Sequence, residues 1–277
     1  MRWHASGHRA AAVLAVAALA GATAPAPAHD FWITASTYAP ARGEPVLLRL
    51  FVGEHLEGMA VPRIAEWFER FDVQSAGGRL EVAGIEGGDP AGFFYAASPG
   101  AHVVGYQGEP EPIALEVMAF REHLRRKGAE GVLAGGQRGA PPPPLPPAGA
   151  MVHERFARCA KVLIAAQGSV EGFARRLGLP LELVPQSDPS HGGEVRVALL
   201  FRGRPLAGAL VEVWLRRGEA PAGAARTGAD GEVTLRLETG SPSLITAFHV
   251  VPAAVPAADF DSYWASLMLA PVAAGAP

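Results

Sequence analysis

The chain has 277 residues, of which 49% are hydrophobic and 18% are charged, and its formal net charge is −3. This composition allows a sizeable core and excludes a disordered, highly charged chain. The small negative charge offers no basic surface to a nucleic-acid backbone, so we expect no nucleic-acid partner. The single cysteine, Cys159, excludes an internal disulfide.

The N-terminal segment has the pattern of a secretory signal peptide. Arg2 and Arg9 form a basic start, the apolar run "AAAVLAVAALAGA" follows, and "APA" at 26–28 fits a small-x-small cleavage site. The run is shorter than the roughly 20 apolar residues of a membrane span. We therefore expect cleavage after Ala28, a periplasmic mature protein that does not span the membrane, and His29 as its first residue.

Residues 29–118 are expected to form an N-terminal β-sandwich domain. Short segments with alternating or continuous apolar residues are separated by Gly, Pro and Asp, which is typical of antiparallel strands. The segments predicted as strands are 44–54, 67–75, 78–86, 91–98, 100–108 and 112–118.

Residues 119–179 are expected to form a helical and proline-rich connecting region. A helix is predicted to begin near residue 116, with Glu122, Arg125, Arg126 and Lys127 on its solvent side. The tract "RGAPPPPLPPAGA" at 138–150 is typical of an exposed, semi-rigid spacer. Residues 153–168 are predicted as a second amphipathic helix, or as a helix that runs into a strand, and Cys159 within them is expected to be a packing residue.

Residues 180–271 are expected to form a C-terminal Ig-like or transthyretin-like domain. Residues 193–218 indicate strand, turn and strand, and residues 224–240 are predicted as a hairpin around Ala229-Asp230-Gly231. Residues 243–251 and 263–271 add further strands. The predicted fold class is all-β, with two Ig-like or transthyretin-like antiparallel β-sandwich domains in series and a short helical and proline-rich connection.

The sequence contains none of the common catalytic motifs. There is no G-x-S-x-G, no H-E-x-x-H, no P-loop and no G-x-G-x-x-G after a strand. We therefore expect a binding protein rather than an enzyme.

Histidines are the remaining candidates for chemistry. None of those after the expected cleavage site lie three or four residues apart, so any metal site must be assembled by folding. Three of them lie in polar helical or loop contexts and are expected at the surface, namely His123, His153 and His191. The others are His29, His55, His102 and His249.

His29 is the strongest candidate metal ligand. As the first residue of the processed chain it would offer its α-amine and its ring Nδ1 to one ion, and a second histidine would complete a histidine brace suited to Cu(II) or Ni(II). Asp30 could add an oxygen or orient the ring. The alternative is that His29 is merely the residue left by cleavage, at a frayed terminus. The residues after it, "FWI", favour an anchored first strand, because Phe31 and Trp32 are expected to be buried.

His249 is the best candidate for the second ligand. It lies in the apolar segment "LITAFHVV", where an imidazole without a partner is costly. The alternative is a core histidine that is hydrogen-bonded to a carbonyl. His102 in "GAHVVGY" and His55 in "VGEHLEG" are weaker candidates.

Several segments together carry a family resemblance. They are "AHDFWI", "GEPVLLRLFVGEHLEG", "PGAHVVGYQGEP", "FRGRPLAGALVEV" and "AFHVVP…FDSYWASLMLA", of which the pattern HDFW…H…WAS is the most specific. They resemble a family of exported proteins described as substrate-specific components of nickel uptake and otherwise known as a domain of unknown function. The resemblance covers residues 29 to 270 or nearly so.

This resemblance implies two β-sandwich domains and a role in handling a divalent transition metal ion. Ni(II) is the implied ion, with Co(II) and Cu(II) as alternatives, and a membrane metal transporter is the implied partner. His29 and His249 fall on the family's motif positions, and His55 and His102 do so less securely.

Three functions remain open at this point. The first is a periplasmic protein that captures a divalent metal ion, nickel above all, and delivers it for uptake through an N-terminal histidine chelate. The second is a structural or carbohydrate- or partner-binding β-sandwich module without metal. The third is a copper-dependent, oxygenase-like enzyme that uses the same histidine brace.

Overall fold

A computed structural model describes residues 29–134, 145–216 and 218–271. The predicted signal peptide at 1–28 and the first part of the predicted proline-rich spacer, residues 138–144, lie outside these residues. Within the described ranges, the helices are too short and too polar to cross a membrane.

The N-terminal part of the chain is built of short strands and one helix, α1, which covers Val117–Arg126. Short 3₁₀ helices cover Ala65–Trp67 and Glu130–Ala134. The strands are β1 (Asp30–Ala35), β2 (Pro45–Glu54), β3 (Glu57–Val61), β4 (Phe68–Ser75), β5 (Gly78–Glu81), β6 (Gly92–Tyr95), β7 (Gly100–Gly108) and β8 (Glu111–Glu116). Each segment predicted as a strand between 44 and 118 overlaps one of these strands, and the start of the predicted helix is confirmed.

The C-terminal part consists of strands joined by turns. They are β9 (Met151–Ala166), β10 (Leu181–Pro185), β11 (Gly193–Phe201), β12 (Arg204–Pro205), β13 (Leu210–Leu215), β14 (Gly223–Arg226), β15 (Glu232–Leu237), β16 (Ser243–Pro252) and β17 (Phe260–Leu269).

The strands of the described residues form three sheets. In the N-terminal sheet β2 pairs with β1, β3 and β6, and in the C-terminal sheet β11 pairs with β10, β12 and β15. The central sheet has the order β14-β13-β16-β17-β9-β7-β4-β5, with β8 also paired to β9. Its strands are antiparallel except for β9 and β17, which run parallel from Phe260↔Glu154 to Met268↔Val162.

The two smaller sheets cover opposite faces of the central sheet. Successive residues of a strand point to opposite faces, and successive core residues of the central strands do fall into different clusters. Val104, Val162 and Leu244 pack with the N-terminal sheet. Their neighbours Val103, Leu163 and Ile245 pack with the C-terminal sheet. The all-β sandwich prediction is confirmed, and the two sandwiches share the central sheet.

The prediction of a helix within 153–168 is wrong, because these residues belong to β9. Its segment "ARCAKVLIAA" is buried along almost its whole length, since both faces of the central sheet are covered. A strand buried on both faces loses the polar-apolar alternation by which strands are identified. Cys159 is 2% exposed in the core beside the C-terminal sheet, and burial raises the pKa of its thiol to about 12. It is a packing residue, as expected.

The predicted hairpin within 224–240 is also wrong. A tight turn is present, and the N–H of Gly231 donates to the carbonyl of Gly228 at 3.0 Å. The strands on either side of it do not pair with each other, because β14 pairs with β13 in the central sheet and β15 pairs with β11 in the C-terminal sheet. The turn therefore carries the chain from one layer to the next.

A buried ion pair fastens the segment after β9 to the central sheet. Lys161 Nζ lies 2.8 Å from Glu182 Oε1, and each side chain is 1% exposed. The Glu182 carboxylate also accepts the backbone N–H of Leu177 at 2.6 Å and of Gly178 at 2.9 Å. Burial lowers the pKa of Lys161, and the Glu182 charge opposes that shift.

Replacing Glu182 by alanine should destabilise the fold strongly, because it removes the carboxylate that balances the buried Lys161 ammonium and that accepts two backbone N–H groups. We expect Glu182→Ala to lower the free energy of unfolding by about 3–5 kcal/mol in urea denaturation at pH 7. The control is Glu194→Ala on the exposed side of β11, which should change stability by no more than about 0.5 kcal/mol. Similar stabilities for the two variants would contradict this role of the pair.

Two buried histidines lie on opposite faces of the central sheet. His123 on α1 is 6% exposed and packs against the rings of Phe248 and Trp264, with centroids 5.1 and 5.2 Å away. His249 on β16 is 5% exposed and packs against Phe201 at 4.5 Å. Burial lowers the pKa of each imidazole to about 4. The prediction that His123 lies at the surface is wrong, since this face of α1 is covered by the sheet.

The lowered pKa values of His123 and His249 predict acid sensitivity. Below about pH 6.5 the unfolded chain binds these protons and the folded chain does not, so stability falls between about pH 6.5 and 4. From pH 7 to pH 5 each histidine should cost about 2 kcal/mol of unfolding free energy. In urea denaturation, His123→Phe and His249→Phe should each lose about 2 kcal/mol less unfolding free energy than the parent protein between pH 7 and pH 5. An unaltered pH dependence in both variants would refute the assignment.

Candidate functional site

Strand β1 fixes the position of His29 and Asp30. The Phe31 ring lies 4.6 Å from that of Tyr106, and the Trp32 ring stacks on Phe51 at 5.7 Å. Phe31 and Trp32 are 4% and 2% exposed, so the predicted burial of both is confirmed. Because β1 is anchored on both sides of its backbone, the residue directly before it is held at a defined place beside the sheet.

The turn between β2 and β3 brings further groups to His29. His29 Nδ1 lies 3.5 Å from Glu54 Oε1, and His55 follows Glu54 in the chain. His55 and Leu56 form the two-residue turn, with φ of 56° and 60°. Leucine rarely adopts this left-handed conformation, and such strain often marks a functional site. The His55 ring stacks on the indole of Trp214 at 4.2 Å, which fixes the imidazole over β13.

A charged pair lies next to His29 in the interior. Asp30 is 6% exposed, and Lys127 Nζ, just beyond the end of α1, lies 3.3 Å from its Oδ1. The same ammonium lies 4.9 Å from the centre of the Trp264 ring. Lys127 was expected on the solvent side of the helix, and that expectation is wrong because Lys127 follows the buried His123 by four residues and lies on the same face.

Glu212 on β13 completes the group. Burial raises the pKa of Glu212, the Asp30 carboxylate raises it further, and Lys127 and His55 oppose the shift. Asp30, Lys127 and Glu212 line a cavity of about 10 Å³, which holds a single water-sized group. We call His29, Asp30, Glu54, His55, Lys127 and Glu212 the N-terminal cluster.

Polar atoms without partners among the described residues lie at this cavity, on Thr246 and Trp264, and next to it, on Ser266. Glu212, Thr246 and Ser266 lie side by side on β13, β16 and β17. The hydroxyls of Thr246 and Ser266 and the indole N–H of Trp264 have no hydrogen-bond partner among the described residues. Buried polar groups usually find partners, so this row indicates a place that water or a ligand satisfies.

The chemistry of the cluster suits a divalent transition metal ion. It combines two imidazoles with carboxylates, which are donors for Ni(II), Cu(II) and Co(II). Among the described residues, no three or more His, Cys, Asp or Glu side chains converge as a ready-made site. The α-amine of a processed His29 would be a further donor that is not a side chain.

The structure does not bring His249 to His29. On β16 Phe248 faces the N-terminal cluster, since it lines the same cavity as Asp30. His249, the next residue, packs on Phe201 of the C-terminal sheet, on the opposite face. One ion cannot bind both side chains across the central sheet.

His102 also lies apart from His29. Its ring stacks on Phe94 at 5.5 Å, and Phe94 pairs with Val46 near the start of β2. His29 lies beside Glu54 at the other end of β2, about 25 Å away at the rise of an extended strand. Of the four predicted metal ligands, only His29 and His55 share one region.

Sequence inspection missed Lys127 and Glu212. Neither residue was a candidate ligand in the sequence, and only the folded sheet brings them to Asp30, which is 97 residues from Lys127. Glu54 had one available signal, because it is adjacent to a candidate histidine.

Similarities to solved structures are weak. The D0-D1 domain of intimin has 12% identity, with 87% of this chain and 97% of that chain covered, and a TM-score of 0.21. The human OSCAR ligand-binding domain has 14% identity, with 88% and 100% covered, and a TM-score of 0.22. At these scores the similarities carry no argument, and the fold rests on the strand pairing itself.

Sequence comparison is more informative. No curated protein matches the chain. The profile of the family described as "Domain of unknown function (DUF4198)" matches residues 26–250, from the expected cleavage site to the second-last strand. The chain therefore belongs to the DUF4198 family.

Proposed function

We propose that the mature protein is a periplasmic carrier that captures a divalent transition metal ion at the N-terminal cluster. Ni(II) is the proposed cargo, with Co(II) and Cu(II) as alternatives, and a membrane metal transporter is the proposed recipient. The observation that carries the proposal is the position of His29, held by an anchored strand beside Glu54, His55 and a buried carboxylate.

The proposed ligands are nitrogen donors supported by acids. The α-amine and ring of His29 form a chelate, and His55 supplies a second imidazole from a turn whose geometry is fixed by stacking on Trp214. Glu54 and Asp30 supply oxygen atoms or orient the rings. His249 and His102 have no part in this site, because they lie on another face and at another end of the sandwich.

The charges of the cluster favour a dication. Asp30, Glu54 and Glu212 are three acids in one region, whereas Lys127 contacts Asp30 and its charge lowers the pKa of Glu212. Burial makes the charge of Asp30 costly unless a cation balances it. A bound metal ion supplies two further positive charges where the acids are concentrated.

The free amine is the most specific element of the proposal. Protein prepared with His29 as its first residue should bind one Ni(II) ion in calorimetry at neutral pH. A variant that retains Ala28 has an amide in place of the amine, so we expect its affinity to fall at least about tenfold. Equal affinity for both forms would exclude the N-terminal chelate, and absence of stoichiometric binding by either would exclude metal capture.

The second imidazole is tested by comparing histidine variants. His55→Ala should weaken Ni(II) binding at least about tenfold, because it removes a nitrogen donor. His102→Ala is the matched control, since His102 is also a histidine of the N-terminal sandwich and lies at its far end. Circular dichroism would verify that both variants are folded. A loss of affinity in His102→Ala but not in His55→Ala would show that the site lies elsewhere.

A further inference from the structure

Among the described strands, none pairs with one edge of β16 over part of its length. Strand β13 pairs with β16 from Leu215↔Ser243 to Val211↔Ala247 and no further. Strand β16 continues to Pro252 and pairs along this stretch with β17 on its other side. Within the described residues, the backbone of 248–252 therefore has a strand neighbour on one side only.

A cavity of about 370 Å³ lies along this edge. Phe248, His249 and Val250 all line it. Because consecutive side chains of a strand point to opposite faces, a cavity that touches all three must lie beside the backbone. Its walls are residues 128–132 after α1 and residues 206–209 before β13. We call this cavity the edge slot.

Arg226 closes one end of the edge slot. Its Nη1 donates to the carbonyl of Gly128 at 2.9 Å on one wall and to that of Gly208 at 2.7 Å on the other. Among the described residues no carboxylate forms an ion pair with this guanidinium. Within the ranges that the structure describes, the positively charged Arg226 guanidinium at the end of the slot therefore donates only to neutral carbonyl groups.

Two further features leave the edge slot open and polar. A Cβ added at Gly131 or Gly208 would meet no atom of the described residues within 4 Å, so these walls leave free space. His249 is only 5% exposed, and its Nε2 has no hydrogen-bond partner in the described part of the chain. An occupant of the slot would therefore find hydrogen-bonding groups on the strand and a cation at its end.

We propose that the edge slot binds an extended peptide segment of another protein, which adds to β16 as a strand and places a carboxylate at Arg226. Free backbone N–H and C=O groups at a strand edge are best satisfied by another extended chain. The volume of the edge slot, about 370 Å³, is in the range of ligand pockets. Residues 248–250 span about 10 Å, which is the length of three or four residues of an extended peptide. The unmatched guanidinium selects an acidic residue or a terminal carboxylate.

The experiment uses short random peptides displayed on phage, selected against protein that begins at His29. Enriched peptides are synthesised and titrated by fluorescence anisotropy. We expect them to contain an acidic residue, and to slow amide hydrogen exchange at 248–250. Gly131→Leu should narrow the slot, Arg226→Gln should remove its cation, and each should weaken binding at least about tenfold.

The matched control is Gly223→Leu. At Gly223, too, an added Cβ would meet no atom of the described part of the chain within 4 Å, and Gly223 lies three residues from Arg226 along β14, away from the slot. This variant should bind the peptides as the parent protein does. The proposal is overturned if no acidic peptide is enriched, if Gly131→Leu and Arg226→Gln bind undiminished, or if protection falls outside 248–250. Ni(II) titration of the same variants should be unchanged, which separates this result from the metal proposal.

Discussion

Strand β9 pairs with the parallel strand β17 on one side. On its other side it pairs with the antiparallel strands β7 and β8. This pairing joins strands from both ends of the chain into one central sheet. Both faces of that sheet are then apolar, and each is covered by a smaller sheet. The cost of burying Lys161 on β9 is offset by Glu182, which also holds the backbone of the following segment. The positions of β1, α1 and β13 all follow from this shared sheet.

The central sheet also determines which residues can act together. Strand β1 lies over β17 and β9, so that Asp30 reaches Lys127, and Glu212 on β13 lies in the same row as Thr246. The alternation of side chains sends Phe248 to this region and His249 to the other face. His249 cannot bind a ligand together with the N-terminal cluster, because its side chain points to the opposite face of the sheet.

The sequence predicts strands well where one face meets solvent or where Gly and Pro bound a short segment, as in β2 and β7. It fails at β9, because burial on both faces removes the alternation that distinguishes a strand from a helix. At the candidate site, the composition around His29 predicts an anchored terminus, and the burial of Phe31 and Trp32 confirms the anchor. Lys127 and Glu212 could not be predicted, since their proximity to Asp30 depends on how three distant segments pack.

The two proposed sites meet at consecutive residues of one segment. Lys127 contacts Asp30 in the N-terminal cluster, and Gly128 forms part of the edge slot, where Arg226 holds its carbonyl. Phe248 lines the cavities of both. A peptide in the slot contacts residues 128–132, which directly follow Lys127, whose ammonium balances Asp30. Linkage makes any such effect reciprocal, so a peptide that draws Lys127 away from Asp30 favours a metal ion there, and one that presses it closer favours release.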